Sequence, residues 1–412
     1  MSAKLLLYHQ KHFHNDLVKL AEVHKHSLTT ATYDKITTVE HSHRTISSKG
    51  VPAQDPLLLI GVLTQTNCPV DRTGKLQRYN MSYDPIPKYD ENFNKSYEDV
   101  VLNRAKHIWE MDDTVDVSWS GGVDSTAVCC AMVLTKPANK KLRIICTESI
   151  ERENPECFNI KLFKEFIVKE SFAEFLHSKK LNPPNTILTG EPGTFNHVGG
   201  VDTSVINSQY HTNYNVTGQD ITNLPWIHFW KWQKQFLGSD VISGDEINLN
   251  NAQKMQFSQL LQEHFKQAPF EIKTMHDMRW WLMFTFRTNW AKYCLPLLIL
   301  TNSPIRPEKI SLSKWVSFYN CNEMQLWNIA GHVKKTKDAY PYKWQAKNFI
   351  KNTIQLDNFI DSLQKYTSLW HINNAQQDLI RWRDKNFVVL DDGRVVTIDN
   401  LSVEMIEDIV NY

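Results

Sequence analysis

The chain's densest chemistry lies in Ser120-Gly121-Gly122-Val123-Asp124-Ser125-Thr126. Two adjacent glycines let backbone approach an anion with no Cβ in the way. Ser120, Ser125 and Thr126 add hydroxyl donors, and Asp124 can hold a divalent cation against phosphate oxygens. A loop of this kind needs a strand to deliver it and a helix to receive it. The N–H groups of a helix's first turn have no acceptor within the helix and favour an anion. The flanking sequence predicts both elements. Thr114-Val115-Asp116-Val117-Ser118 alternates as a short strand, with Ser118 at its loop end, and Val123 to Leu134, rich in Ala, Val, Cys and Met, reads as a helix. The expected chemistry is phosphate binding. The G-x-x-x-x-G-K-[ST] spacing of a Walker A loop is absent.

Two further stretches carry candidate groups. Thr189-Gly190-Glu191-Pro192-Gly193 is followed by Gly199-Gly200. A carboxylate such as Glu191, at a strand end before a glycine turn, can orient an amine or take its proton. In Tyr340-Pro341-Tyr342-Lys343-Trp344-Gln345-Ala346-Lys347, the lysines at 343 and 347 stand four apart and share a helix face. Such a pair beside a phosphate neutralises negative charge as it builds. The run Lys334-Lys335-Thr336-Lys337 reads as a solvated loop. Ser243-Gly244-Asp245-Glu246 reads as a surface loop or the approach to a helix near 253.

The elements around these residues alternate. Ser96 to Met111 has the spacing of an amphipathic helix. Leu142 to Thr147 is a second apolar strand ending at Glu148, residues 157–180 read as helices, and Asn185 to Thr189 is a third strand. Strands alternating with helices predict a parallel, doubly wound α/β sheet. Ligands in such sheets sit at the carboxyl ends of the strands, where Ser120, Glu148 and Glu191 fall. From about 201 onward the pattern is mainly helical: Gln253 to Phe265, Met275 to Leu295, Glu323 to Ala330 and Tyr342 to Asn352. Phe387 to Ile398 reads as a β-hairpin turning at Asp392-Gly393. Ahead of all this, Pro56 to Leu63 looks like a buried strand. The histidines at 9, 12, 14, 24, 26, 41 and 43 are irregularly spaced and read as exposed side chains rather than metal ligands.

The loop at 120–126 resembles the SGG-x-DS loop of the ATP pyrophosphatases, enzymes that split ATP into AMP and pyrophosphate. The match is complete over the six-residue core. The stretch at 189–200 resembles the glycine–glutamate loop of the asparagine synthetase C-terminal domain, G-E-G-x-D-E-x-F-G-G. Glu191 falls on that family's catalytic glutamate, and Thr194, Phe195 and Asn196 replace its acidic pair. Lys343 or Lys347 looks like the family's late catalytic lysine. The resemblance covers roughly residues 96–352. It implies an adenine nucleotide alpha hydrolase-like fold that takes ATP and Mg²⁺. The nucleotide-binding residues implied are Ser118, Ser120, Gly121, Gly122, Asp124, Ser125, Thr126, Glu148 and Gly190, with Asp124 as the metal ligand. It also implies an AMP-forming ligase that joins an activated carboxylate to an amine or ammonia. Full asparagine synthetases begin with a glutaminase domain whose nucleophile is a cysteine after the initiator Met. Position 2 here is Ser, and the roughly 110 residues ahead of the loop are too few for that domain. Ammonia would therefore come from solution or a separate glutaminase.

Composition bounds the rest. A chain of 412 residues predicts two or three domains, here residues 1–95 with no assigned role, 96–352 as the synthetase-like domain, and 353–412 as a helical segment with the hairpin. A net charge of +1 gives no electrostatic argument for nucleic acid. Seven cysteines with no C-x-x-C pair predict a reduced, cytoplasmic protein. No apolar run is long enough to span a bilayer, and Met1 to Lys11 lacks the apolar core of a signal peptide. Two alternatives stay open: a nucleobase- or tRNA-modifying ATP pyrophosphatase, and a non-catalytic nucleotide sensor or assembly component.

Overall fold

The computed structural model describes residues 5–8, 10–37, 60, 64, 70–76, 79–146, 150–151, 154–169, 185–190, 224–231, 250–287, 314–334, 344–355, 387–392 and 394–411. The strands are β1 (Leu5–Tyr8), β2 (Thr114–Ser118), β3 (Lys141–Cys146), β4 (Ile167–Lys169), β5 (Thr186–Thr189), β6 (Trp315–Ser317), β7 (Phe387–Leu390) and β8 (Val395–Thr397). The helices are α1 (Gln10–Val23), α2 (Thr30–Thr37), α3 (Tyr97–Met111), α4 (Val123–Leu134), α5 (Pro155–Asn159), α6 (Lys161–Lys164), α7 (Asn251–Phe265), α8 (Met275–Phe286), α9 (Asn322–Lys334), α10 (Trp344–Ile354) and α11 (Val403–Val410). The chain forms two compact units, each assembled from segments distant in sequence. One comprises Met1–Ile86, Val201–Trp290 and Lys385–Tyr412; the other comprises Pro87–Gly200 and Ala291–Asp384.

The second unit is built on a five-stranded parallel sheet in the order β4-β3-β2-β5-β6. Helices flank this sheet, as expected of an α/β fold. β2 lies at the centre, with Val115 and Val117 fully buried. The helix α4 after it is apolar on all sides and packs against α3 and α10. The start of α3 is set by a capping box: the Ser96 hydroxyl accepts from the Asp99 N–H, and the Asp99 carboxylate accepts from the Ser96 N–H. Cys129, Cys130, Cys146 and Cys157 sit in this core. Burial holds the first two thiols well above their usual range and pushes Cys146 to about 11 and Cys157 to about 12. They are packing groups, not thiolate nucleophiles.

Two strands of this sheet depart from the sequence expectation. Ile167-Val168-Lys169, expected within a helical stretch, forms the edge strand β4 against β3. Two β-branched residues in a row favour a strand once an edge is there to pair with. Trp315-Val316-Ser317 forms the opposite edge, β6, against β5, in a region expected to be mainly helical. The helices at 157–180 reduce, where described, to the short α5 and α6. The strands β2, β3 and β5 fall within one residue of their expected limits.

The first unit holds a three-stranded sheet in the order β1-β7-β8, both pairings antiparallel. The hairpin expected at 387–398 is present, and its outer partner is the N-terminal strand β1. Helices α7 and α8 carry capping boxes from Asn250 and Thr274. Trp280, Trp281, Phe284 and Phe286 of α8 are buried, and His264 of α7 meets the Trp281 and Phe286 rings. The strand expected at Pro56 to Leu63 is contradicted at the residue described there. Ile60 is helical, and its carbonyl accepts from the Thr64 N–H at 2.8 Å. The Thr64 hydroxyl bonds the same carbonyl at 2.7 Å, a local bond that strengthens the turn. The other residues of that stretch lie outside the described ones.

Candidate functional site

The strand β2 delivers the glycine loop, and Trp119 joins the two. Its N–H donates to the Ile145 carbonyl at 2.9 Å, extending the ladder one residue beyond the strand. Its indole Nε1 donates to Thr126 Oγ1 at 2.9 Å, tying the strand end to the first turn of α4. The indole stacks on Phe158, with ring centroids 6.5 Å apart, and meets Phe163 edge-on at 5.7 Å. Thr126, expected as a loop hydroxyl, is fully buried and braces the loop through this bond.

Within the loop the Ser125 hydroxyl accepts from the Ser120 N–H at 3.2 Å and lies 3.0 Å from Ser120 Oγ. It also bonds the Gly122 carbonyl at 3.2 Å. Ser125 is buried, Ser120 is exposed, and Gly122 and Asp124 are half-buried. Gly121 has φ of 73°, the left-handed conformation that other residues rarely adopt. Gly122 is the N-cap of α4 and carries no side chain to cap it. The first-turn N–H groups of α4 are therefore not met by a capping side chain, unlike those of α3, α7 and α8. This is the arrangement that receives an anion.

Two groups that the sequence reading did not single out hold the loop in place. Asn154 is buried at the N-cap of α5; its Oδ1 accepts from the Cys157 N–H at 3.2 Å. Its Nδ2 donates to the Gly121 carbonyl at 3.0 Å. In a trans peptide the C=O and N–H point opposite ways, so this bond turns the Gly122 N–H away from Asn154. Tyr319 donates its hydroxyl to the Asp124 carbonyl at 2.9 Å and lies 3.2 Å from the Tyr97 hydroxyl. Burial, with Tyr97 and Asp124 nearby, holds its phenol well above the usual value. Tyr319 is thus a neutral donor. Asn before Pro155 is a readable helix start, but its second bond reaches 33 residues back. Asn154→Asp keeps the capping oxygen and removes the donor to Gly121. It should lower stability by about 1–3 kcal/mol, the cost of stranding a buried carbonyl, read by chemical denaturation.

The loop meets the end of β5. A Cβ built on Gly190 would lie 2.9 Å from the Ser125 nitrogen and 3.1 Å from its Cα. Only glycine lets the strand end press this closely on the first turn of α4. Ala at 190 must push backbone apart. Gly190→Ala should cost about 1–3 kcal/mol, seen as a lowered urea midpoint with an unchanged m-value. An unchanged midpoint would mean that the two segments are not in contact.

The strand order makes this contact informative. The connection from β2 leads to its neighbour β3, while β5, on the other side of β2, leads to β6. Adjacent strands whose connections leave in opposite directions form a switch point, where ligands bind in open α/β sheets. The 120–126 loop and Gly190 lie at the carboxyl ends of this pair.

Of the other expected site residues, Ser118 ends β2 and is half-buried. Lys347 is half-buried in the first turn of α10, the helix that packs against α4. Glu148, Glu191, Lys343, the 194–196 stretch and Ser243 to Glu246 lie outside the described residues. His24 is half-buried and His26 exposed in the turn after α1. No family model, curated protein or solved structure matches the chain.

Proposed function

We propose that the chain is an ATP-dependent, adenylate-forming amide synthase of the asparagine synthetase type. A substrate carboxylate oxygen attacks the α-phosphorus of ATP, and the bond to the β-phosphate oxygen breaks, releasing pyrophosphate. An amine or ammonia then attacks the activated carbonyl carbon, AMP leaves, and the amine's proton passes to a base. The activation matters because AMP is a good leaving group and a carboxylate oxygen is a poor one.

One observation carries the reading. A glycine loop with an uncapped helix N-terminus sits at a parallel-sheet switch point, with Gly190 pressed against it. That juxtaposition supports a phosphate site and puts the residue before Glu191 against it. A Cβ at Gly122 would come to 3.6 Å from Ser120 Oγ, between the loop backbone and that hydroxyl. Ser120 would bond phosphate oxygens from the exposed side of the loop, and Asp124 is the residue that would hold Mg²⁺. That ion, when bound, would neutralise charge on the departing pyrophosphate. Glu191 is assigned as the base or orienting carboxylate for the amine, and Lys343 and Lys347 as the cations facing the developing charge. Calorimetric titration with ATP and MgCl₂ should give saturable binding at one site per chain; an absence of heat and of displacement by AMP would sink the reading.

A further inference from the structure

The proposed phosphate loop is pinned at several points. Trp119 holds Thr126, the Ser125 hydroxyl bonds the Ser120 N–H and the Gly122 carbonyl, and Tyr319 donates to the Asp124 carbonyl. None of these bonds touches the peptide that joins Gly121 to Gly122. Among the described residues the partner of that peptide is Asn154, whose Nδ2 donates to the Gly121 carbonyl at 3.0 Å. It is also the peptide of the loop most easily turned over. A peptide turns by counter-rotation of ψ before it and φ after it, and a glycine on each side removes the Cβ clashes that oppose this. Gly122 has φ of −74°, which suits any residue, and a Cβ there would make an ordinary 3.6 Å contact with Ser120 Oγ. In this conformation the apo loop does not require glycine at 122. With the peptide turned over, φ takes the opposite sign, and glycine is required.

We propose that Asn154 is a positioning residue of the phosphate site: it holds the Gly121–Gly122 peptide with its N–H, not its C=O, towards the bound phosphate. The inference rests on the reading of the loop given above and adds the group that sets the loop's polarity. Two partners fix the orientation of the Asn154 amide. Oδ1 faces the Cys157 N–H at 3.2 Å, and Nδ2 faces the Gly121 carbonyl. Rotated by half a turn, the amide would set oxygen against oxygen and N–H against N–H. Asn154 is 3 % exposed and caps a helix whose first residue is Pro155, so the donor stands in place before a ligand arrives.

The C=O and N–H of a trans peptide point opposite ways. A Gly121 carbonyl held by Asn154 therefore leaves the Gly122 N–H directed away from it, beside the first-turn N–H groups of α4. A phosphate oxygen at this helix end then meets one more donor. With the peptide turned over, it meets a carbonyl oxygen instead, so a hydrogen bond is lost and a repulsion is gained. A donor fixed in advance also contributes more to affinity than one that must be turned into place as the ligand binds.

The full-length protein is titrated calorimetrically with ATP and MgCl₂. Asn154→Ser keeps a capping oxygen, adds no charge and removes the donor to Gly121. Ser96→Ala removes the cap of α3, which lies outside the loop, and controls for lost stability. Asn154→Ser should bind about tenfold more weakly than wild type, the loss of one hydrogen bond to a charged group, and Ser96→Ala should keep wild-type affinity. Wild-type affinity in Asn154→Ser overturns the inference and leaves the phosphate loop standing. An equal loss in both variants also overturns it, because affinity then follows stability. A wild type that binds no ATP overturns the reading of the loop, and the inference with it.

A second measurement needs no substitution at 154. Gly121-Gly122 and Gly199-Gly200 are the two Gly-Gly pairs of the sequence. With glycine labelled at its carbonyl carbon and its nitrogen, a carbonyl-filtered NMR spectrum shows the amides of Gly122 and Gly200, and Gly200→Ala tells them apart. Saturating ATP and MgCl₂ should move the Gly122 amide proton downfield, as a new hydrogen bond to phosphate requires. A Gly122 signal that stays in place at saturation overturns the inference.

Discussion

Arg143→Ala should destabilise the chain by about 3–5 kcal/mol, more than Asp116→Ala. Asp116 stands in the middle of the central strand, where a parallel sheet normally carries apolar residues on both faces. It is 1 % exposed and lies in register with Arg143 on β3. The guanidinium grips both carboxylate oxygens, Nε reaching Oδ1 at 2.6 Å. Asn185 Nδ2 adds a weaker bond at 3.3 Å. Removing the arginine strands a negative charge inside the sheet. Removing the aspartate strands a cation whose side chain is 19 % exposed and can turn toward water. The order of the two effects therefore follows from the unequal burial of the partners. Urea unfolding of both variants measures it, and equal losses, or a larger loss for Asp116→Ala, would contradict the placement of Asp116 in the sheet.

The second large effect concerns the loop. Ser120→Ala with Asp124→Ala should weaken ATP affinity in the presence of Mg²⁺ by about 100-fold or more, since a hydrogen bond to a charged group contributes about 1.5–3 kcal/mol. Stability should change little. Ser120 is exposed and Asp124 half-buried. The double variant loses the 3.0 Å contact between the Ser120 and Ser125 hydroxyls, while the bonds from Trp119, Ser125, Asn154 and Tyr319 that hold the loop in shape remain. The same separation guards against a trivial explanation. If the double variant lost affinity only because the loop collapsed, its melting temperature would fall with it.

The strand–loop–helix from Thr114 to Leu134 was legible in the sequence because every cue to it is local: alternation in β2, two glycines, then an apolar helix. β4 and β6 were not legible. Three residues at a sheet edge carry little pattern, and they become strands only because β3 and β5 offer free edges. The antiparallel pairing of Leu5–Tyr8 with Phe387–Leu390 joins the two ends of the chain and has no local sign. At the candidate site, the residues of the loop were readable and their division of labour was not. Ser125 and Thr126 look like ligand hydroxyls in sequence. In the fold one bonds its own loop and the other accepts from Trp119. Gly190 was readable as part of a glycine–glutamate motif, but its reason for being glycine is the Ser125 backbone 2.9 Å from where a Cβ would stand.

ATP–pyrophosphate exchange tests the central claim most directly, because it reports cleavage between the α and β phosphates and needs no knowledge of the amine. Labelled pyrophosphate should enter ATP when the wild type is given Mg²⁺ and the right member of a panel of carboxylic acids, and the Ser120→Ala, Asp124→Ala double variant should show no such exchange. An enzyme that returns ADP and phosphate, or a double variant that exchanges as fast as the wild type, would contradict the account.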